Sequence, residues 1–395
     1  MRLLHTSDWH LGRTLHGVDL TAHQQVFLDH LVEVVRDEQV DAVLVAGDVY
    51  DRAIPPVESV AQLSAALARL AEHAVVVLTP GNHDSAVRLG FGSDLLTERV
   101  RVVARADQVG RPVVLPSPDG DVLVYGLPYL DPDAARRTLA PGDEPLARSH
   151  AAVLGAAMDR VRADLAARTA DALAAGRTAP RSVVLAHAFV VGGAASESER
   201  DIRVGGVDHA PTAVFDGVDY VALGHLHGPQ RVGDADARTV LRYAGSPLAY
   251  SFSEARHTKS TALVDLAPEG PVRVRLVPAP VPRRLADVTG TLADLLGEAG
   301  EPHVDDWVRV TVTDDHRPAG LYARVRGRFP HALVVQHRPP VRAAAGTAGE
   351  VTAARDPLEV AAEFVAHVTG APPTGAEAAV LRRAYEDAVA AERSA

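Results

Sequence analysis

Five short apolar runs, each closing on side chains that bind metals, constrain this chain more than any other feature of it. The runs are RLLHT from residue 2, DAVLVA from 41, HAVVVLT from 73, RSVVLA from 181 and DYVAL from 219. They are rich in Val and Leu and continuous rather than alternating, the pattern of strands covered on both faces. Helical periodicity lies between several of them: in TAHQQVFLDHLVEVVRDEQ, Val26, Phe27, Leu31, Val34 and Val35 fall on one face. Strands alternating with helices predict an α/β core. After the runs come Asp8 and His10, then Asp48, then Asn82 and His83, then His187, then His225 and His227. In open α/β sheets the loops beyond the carboxyl ends of the strands converge. Five stretches far apart in sequence are therefore expected to meet at one edge.

The chemistry of that edge follows from the donor types. Oxygen and imidazole without sulfur suit Mn²⁺ or a similar cation that tolerates octahedral coordination. The donors are too many for one ion and enough for a pair, which two-metal phosphoesterase sites hold about 3.5–4 Å apart. In VALGHLHGPQ, His225 and His227 sit two residues apart; in extended chain such residues share a face roughly 6.6 Å apart. Each ring can then lean toward a different ion. Asp8 and His10 form a unit able to grip one ion. Asp48, in AGDVYD, is the candidate bridge, because a carboxylate has two oxygens and Gly47 lets the backbone approach. Two divalent ions less two carboxylates and a hydroxide leave about one positive charge, which attracts a phosphodiester. The whole chain carries a net charge of −11 and gives no global support to a nucleic-acid partner, so any contact with DNA must come through local positive charge or bound metal ions.

At 395 residues the chain is too long for one ordinary core, so two or three domains are expected. No segment has the uninterrupted apolar length of a membrane span, and MRLLHTSDWHLG lacks the features of a signal peptide. There is no cysteine, which excludes thiolate metal sites and fits a reducing cytoplasm. Lys259 is the single lysine among many arginines, read here as genome composition. Prolines in VPAPVPRR mark a boundary, giving a first domain over 1–281 and a small α/β unit over 282–342, with WVRVTVT its clearest strand. Residues 343–354 read as a flexible linker, and 355–395 as two helices opened by capping boxes, Asp356 to Glu359 and Thr374 to Glu377. The first helix carries Leu358, Ala361, Val365 and Val368 as an apolar stripe, the second Leu381, Ala384, Tyr385 and Ala388.

The motifs DWH, GDVYD, GNHD, HAF and GHLH, in this order, resemble the calcineurin-like metallophosphoesterases. The longer stretches MRLLHTSDWHLGR, VDAVLVAGDVYDR, SESERDIRVGGVDH, FDGVDYVALGHLHGPQ and YAGSPLAYSFSEARHTKS resemble the SbcD family of nuclease subunits, through about residue 265. The resemblance implies a four-layer αββα sandwich with a small α/β capping domain and C-terminal helices. It implies two Mn²⁺ ions, one held by Asp8, His10, Asp48 and His227, the other by Asp48, Asn82, His187 and His225. His83 would be the general acid or transition-state stabiliser rather than a ligand. Implied partners are DNA and an SbcC-like coiled-coil ATPase that docks on the C-terminal helices, with the chain a homodimer within a heterotetramer. The implied activity is 3′→5′ exonuclease on double strands and endonuclease on single strands and hairpins, in DNA repair and recombination.

Competing readings accompany these. A phosphodiesterase acting on small molecules or phosphoproteins would share every ligand, and a non-catalytic scaffold would keep the fold. His5, His23, His30, His73 and His150 read as helix or loop histidines. Asp51 reads as a loop-fixing acceptor, and Asp84 as orienting His83 or capping the next helix. Between His316 and Gly349 the chain has no acidic residue, while Arg317, Arg324, Arg326, Arg328, Arg338 and Arg342 offer phosphate contacts.

Overall fold

The structure is a computed structural model and describes residues 1–96, 98–199, 209–340 and 356–394, with side chains through residue 389. The linker 343–354, Arg342 and residues 200–208 of the SESERDIRVGGVDH stretch lie outside the described residues. Close approach along the chain separates two units, residues 1–287 with 305–309, and residues 288–304 with 310–395.

The five apolar runs form strands, and each buries both faces. The first sheet has the order Arg273–Pro278, Ser260–Asp265, Arg2–Thr6, Ala42–Ala46, Val75–Thr79, Val100–Val102. The second runs Gln230–Val232, Val240–Tyr243, Tyr220–Gly224, Arg181–His187, Val122–Leu127, Val113–Leu115. Arg2–Thr6, Ala42–Ala46 and Val75–Thr79 are parallel neighbours, as are Tyr220–Gly224 and Arg181–His187. Successive side chains point to opposite faces. Thus Leu3, Ala42, Leu44 and Val77 of the first sheet pack with Val122, Val124, Val183, Leu185 and Ala222 of the second. Their neighbours Leu4, Val43, Val45, Val76 and Leu78 pack outward on Phe27, Leu28, Leu31, Val35, Leu63 and Leu70 of helices Thr21–Asp37 and Val57–Ala71. On the far side Leu123, Tyr125, Val184, Ala186, Val221 and Leu223 meet Val153, Leu154, Ala157, Met158 and Val161 of helix His150–Ala174. Helix, sheet, sheet, helix: the continuous runs are continuous because both of their faces are dry.

Two sequence expectations change here. Val26 is 44 % exposed, and Leu28 takes its place on the buried face. His5 is neither a helix nor a loop residue: it lies in Arg2–Thr6, fully buried, with Nδ1 2.9 Å from the Tyr220 hydroxyl. Outside the sandwich, Leu285–Gly290, Trp307–Val312 and Ala332–His337 pair in that order into a three-stranded sheet. Val310, Val312, Leu292, Leu295, Leu321, Val325 and Phe329 are buried in the second unit. Helices Pro357–Thr369 and Gly375–Ser394 follow. Thr374 and Glu377 form a reciprocal capping box, each side chain accepting from the other's backbone N–H, whereas Asp356 caps Leu358 N–H. No helix among the described residues is long and apolar enough to cross a membrane.

Candidate metal centre

Past the ends of Arg2–Thr6 and Ala42–Ala46 the parallel pairing continues into the loops. Asp8 N–H donates to the Gly47 carbonyl at 3.0 Å, His10 N–H to Asp48 at 3.0 Å and Leu11 N–H to Val49 at 2.9 Å. That register carries Asp8, His10 and Asp48 to one place. Of six non-glycine residues with positive φ among the described ones, four are candidate ligands: Asp8 at 54°, His10 at 46°, Asp48 at 48° and His225 at 107°. Such conformations cost about 1–3 kcal/mol each and persist where the surroundings over-determine them. Close approach also demands small residues. A Cβ on Gly81 would lie 2.1 Å from Asp48 Oδ1, and one on Gly47, whose φ is +80°, 2.3 Å from His187 Nδ1.

Asp8, His10, Asp48, His83, His187, His225 and His227 are all buried, and Asn82 is half-buried. Three groups bring ligand atoms within 4.8 Å of one another: Asp8, His10 and His227; His10, Asp48 and His83; Asp8, Asp48 and His187. Asp48 is central. Its Oδ2 lies 3.6 Å from His10 Nε2, 3.4 Å from His187 Nε2 and 3.9 Å from His83 Nε2. Its other oxygen accepts the His83 backbone N–H at 2.9 Å, so a single oxygen faces both His10 and His187. Asn82 Oδ1 is 2.8 Å from His187 Nε2. His225 enters none of the three groups; its N–H donates to Asp8 Oδ1 at 3.0 Å, and its ring meets that of His187 edge-on at 5.4 Å.

The electrostatics ask for positive charge. Burial pushes the Asp8 carboxyl up to about 7, with His187 opposing and Asp48 reinforcing. Burial works against ionised Asp48 too, yet His187, His10 and His83 hold it well below its ordinary value. Burial would lower His187, but Asp48 draws it up to about 9. Burial holds His225 well below its ordinary value.

Tautomers settle whether a cation fits. His187 Nδ1 lies 3.1 Å from the Ala46 carbonyl, which accepts only, so Nδ1 carries a proton and Nε2 is the atom turned to Asn82 Oδ1 and Asp48 Oδ2, where a divalent ion would displace the proton that Asp48 otherwise holds there. His10 Nε2 and His227 Nε2 are 3.2 Å apart, while their Nδ1 atoms face the carboxylates of Asp51 at 3.6 Å and Glu254 at 3.1 Å. The Glu254 carboxylate favours the Nδ1–H form of His227, which turns its Nε2 lone pair toward His10 Nε2. Acceptors gathered in this way fit divalent cations.

Several supporting residues escape a reading of the sequence. Glu254, buried, reaches His227 Nδ1, Ser198 Oγ and, at 2.5 Å, Lys259 Nζ. Burial raises Glu254, and the hydrogen bond with His227 and the charge of Lys259 overcome that, holding it well below the usual carboxylate range. Glu254 and Lys259 lie in the stretch YAGSPLAYSFSEARHTKS, whose family likeness is the available signal. Asp84 does not cap the following helix, which Ser85 caps. Its carboxylate accepts from Val49 at 3.0 Å, Tyr50 at 2.8 Å and Gly81 at 2.9 Å, tying the Asp48 and Asn82 loops together. Asp51, by contrast, is the loop-fixing acceptor its sequence context suggests: it receives Arg13 at 3.3 Å and faces His10, and its backbone carbonyl holds His83 Nδ1 at 2.8 Å.

A family model described as calcineurin-like phosphoesterase matches residues 1–229, and one described as the type 5 capsule protein repressor C-terminal domain matches residues 281–369. The SbcD subunit of the SbcCD nuclease of Bacillus subtilis (strain 168) is 37 % identical over 274 residues, 68 % of this chain and 67 % of that protein. Its counterpart from Escherichia coli (strain K12) is 32 % identical over 327 residues, 80 % of this chain and 78 % of that protein. With that likeness and a cluster of carboxylate and imidazole donors suited to divalent cations, the chain belongs to the calcineurin-like phosphoesterases, and within them to the SbcD family of metal-dependent nucleases.

Proposed function

We propose that the chain hydrolyses DNA phosphodiesters with two Mn²⁺ ions, as a 3′→5′ exonuclease and an endonuclease on single strands and hairpins. Asp8, His10, Asp48 and His227 hold one ion, and Asp48, Asn82, His187 and His225 the other. The observation that carries this is Asp48 Oδ2, which faces His10 from one loop and His187 from the other sheet. Ions bound there supply Lewis acidity toward phosphate oxygens and water. His83 is the proton donor. The Asp51 carbonyl holds its Nδ1–H, which turns Nε2 toward the cluster, where it can protonate or stabilise the leaving oxygen. Exposed Arg317, Arg324, Arg326 and Arg338 contact the DNA backbone; Arg328 is engaged instead by Glu301.

The assembly is a homodimer bound to an SbcC-type coiled-coil ATPase in the cytoplasm. Exposed Ile54, Val57, Val87, Phe91 and Leu95 support a self-association face, and Arg88, bonded to the Ala53 carbonyl, joins the two loops that carry them. Exposed Phe364, Val368, Val380 and Tyr385 support partner docking on the C-terminal helices. The test is cleavage of end-labelled hairpin DNA with MnCl₂. His83→Gln is expected to keep both ions and to lose about 10²–10⁴-fold in rate. Retained cleavage by that variant removes His83 from the chemistry, and turnover of small phosphodiesters without DNA cleavage would overturn the substrate.

A further inference from the structure

All but one of the 40 lysine and arginine residues are arginine. The exception, Lys259, is not on the surface: it is 3 % exposed and sits behind His227. Its ammonium donates to the His227 carbonyl at 3.0 Å, to Ser246 Oγ at 2.8 Å and to Glu254 Oε2 at 2.5 Å. An ammonium has three donors on one compact atom, and all three are used. A guanidinium is planar, carries five N–H donors and would bring more of them into this enclosed space than there are acceptors. The one lysine of the chain thus stands where a compact ammonium meets three acceptors.

The other oxygen of Glu254 lies 3.1 Å from His227 Nδ1 and accepts from Ser198 Oγ, which itself lies 2.7 Å from that nitrogen and joins the two. The buried ion pair therefore holds His227 at both ends, the ammonium on its backbone carbonyl and the carboxylate on its ring. An ion pair that only tied strands together would have no need to touch the same histidine twice. We propose that Lys259 and Glu254 are positioning residues that fix the backbone and ring of His227, so that its Nε2 meets a metal ion in the lone-pair form. The inference rests on the reading of His227 as a ligand.

The full chain, freed of metal and titrated with MnCl₂ by calorimetry, provides the test, with Lys259→Arg, Glu254→Gln and the double variant Glu254→Met/Lys259→Met beside the parent. Melting of the metal-free proteins gives a second readout. Outer partners of metal-bound histidines contribute about 10–100-fold in metal affinity. Each variant is expected to bind one of two Mn²⁺ ions weaker by that factor and the other with parental affinity. The double variant leaves no lone buried charge, so it is expected to melt near the parent even where a single change unfolds the chain. Parental affinity at both sites in either Glu254→Gln or the double variant overturns the inference while the two-ion reading stands. A parent that takes up no Mn²⁺ overturns that reading and this inference with it.

Discussion

Buried histidines in this chain divide by what their second nitrogen meets. His187 and His227 have Nδ1 engaged by an acceptor and Nε2 turned to the metal cluster, whereas His5 lies between the sheets against Tyr220. Burial pushes His5 down to about 3, with Leu223 opposing and Arg242 adding to it. Below about pH 6.5 the unfolded chain takes up a proton that the folded chain refuses until about pH 3. This contribution to stability is complete above that upper value and declines as pH falls through the window, by about 1.4 kcal/mol per unit. Urea unfolding at about pH 7 and about pH 5 should show a smaller acid-induced loss in His5→Gln than in the parent, by roughly 2 kcal/mol. Equal losses would place the acid sensitivity elsewhere. The candidate ligands are legible in the sequence because Asp, Asn and His after apolar runs are rare and chemically specific. Glu254, Ser198 and Asp84 are not, since a carboxylate or hydroxyl acquires its role from what folding sets in front of it.

Among the elements, strands are legible where they are buried twice and end in a ligand, and poorly so otherwise. Val122–Leu127 is as apolar and as buried as the five runs, but it leads into Pro128, with no ligand to mark it. Gln230–Val232 and Val113–Leu115 are short edge strands whose pairing comes from their neighbours rather than from their own pattern. Helix Thr21–Asp37 has the period its sequence predicts and buries Phe27, Leu31, Val34 and Val35 as expected, with Leu28 rather than Val26 completing the face. The loops after the strands depend on Asp84, which closes three backbone N–H groups of two different loops. Asp84→Ala orphans them, at about 1–3 kcal/mol for each buried donor left unsatisfied. A loss of about 3 kcal/mol or more in urea unfolding is expected, with weaker Mn²⁺ binding because Asp48 and Asn82 lose their shared anchor. Full metal affinity in a destabilised Asp84→Ala would mean the two loops hold their shape independently.

At the scale of the molecule, the C-terminal helices behave differently from the sandwich. Their apolar stripe is legible from spacing, yet Phe364 and Val368 are 67 % and 65 % exposed and none of helix Pro357–Thr369 is buried. Deleting residues 355–395 is expected to abolish co-purification with an SbcC-type ATPase and to leave metal-dependent cleavage intact. Loss of cleavage as well would make those helices part of the catalytic fold. The sandwich places Asp8, His10, Asp48, Asn82 and His83 beyond strands of one sheet, and His187, His225 and His227 at strand ends of the other. On the proposed ligand set, cations held from both sides would act as rivets through two plates. Because the folded chain alone offers the complete grip, metal at 100 times its dissociation constant adds about 2.7 kcal/mol of stability. The converse follows from the same reading: trimming Leu44 or Val124, deep between the sheets, would slacken the rivet, so divalent-metal affinity becomes a gauge of how tightly the interior is closed.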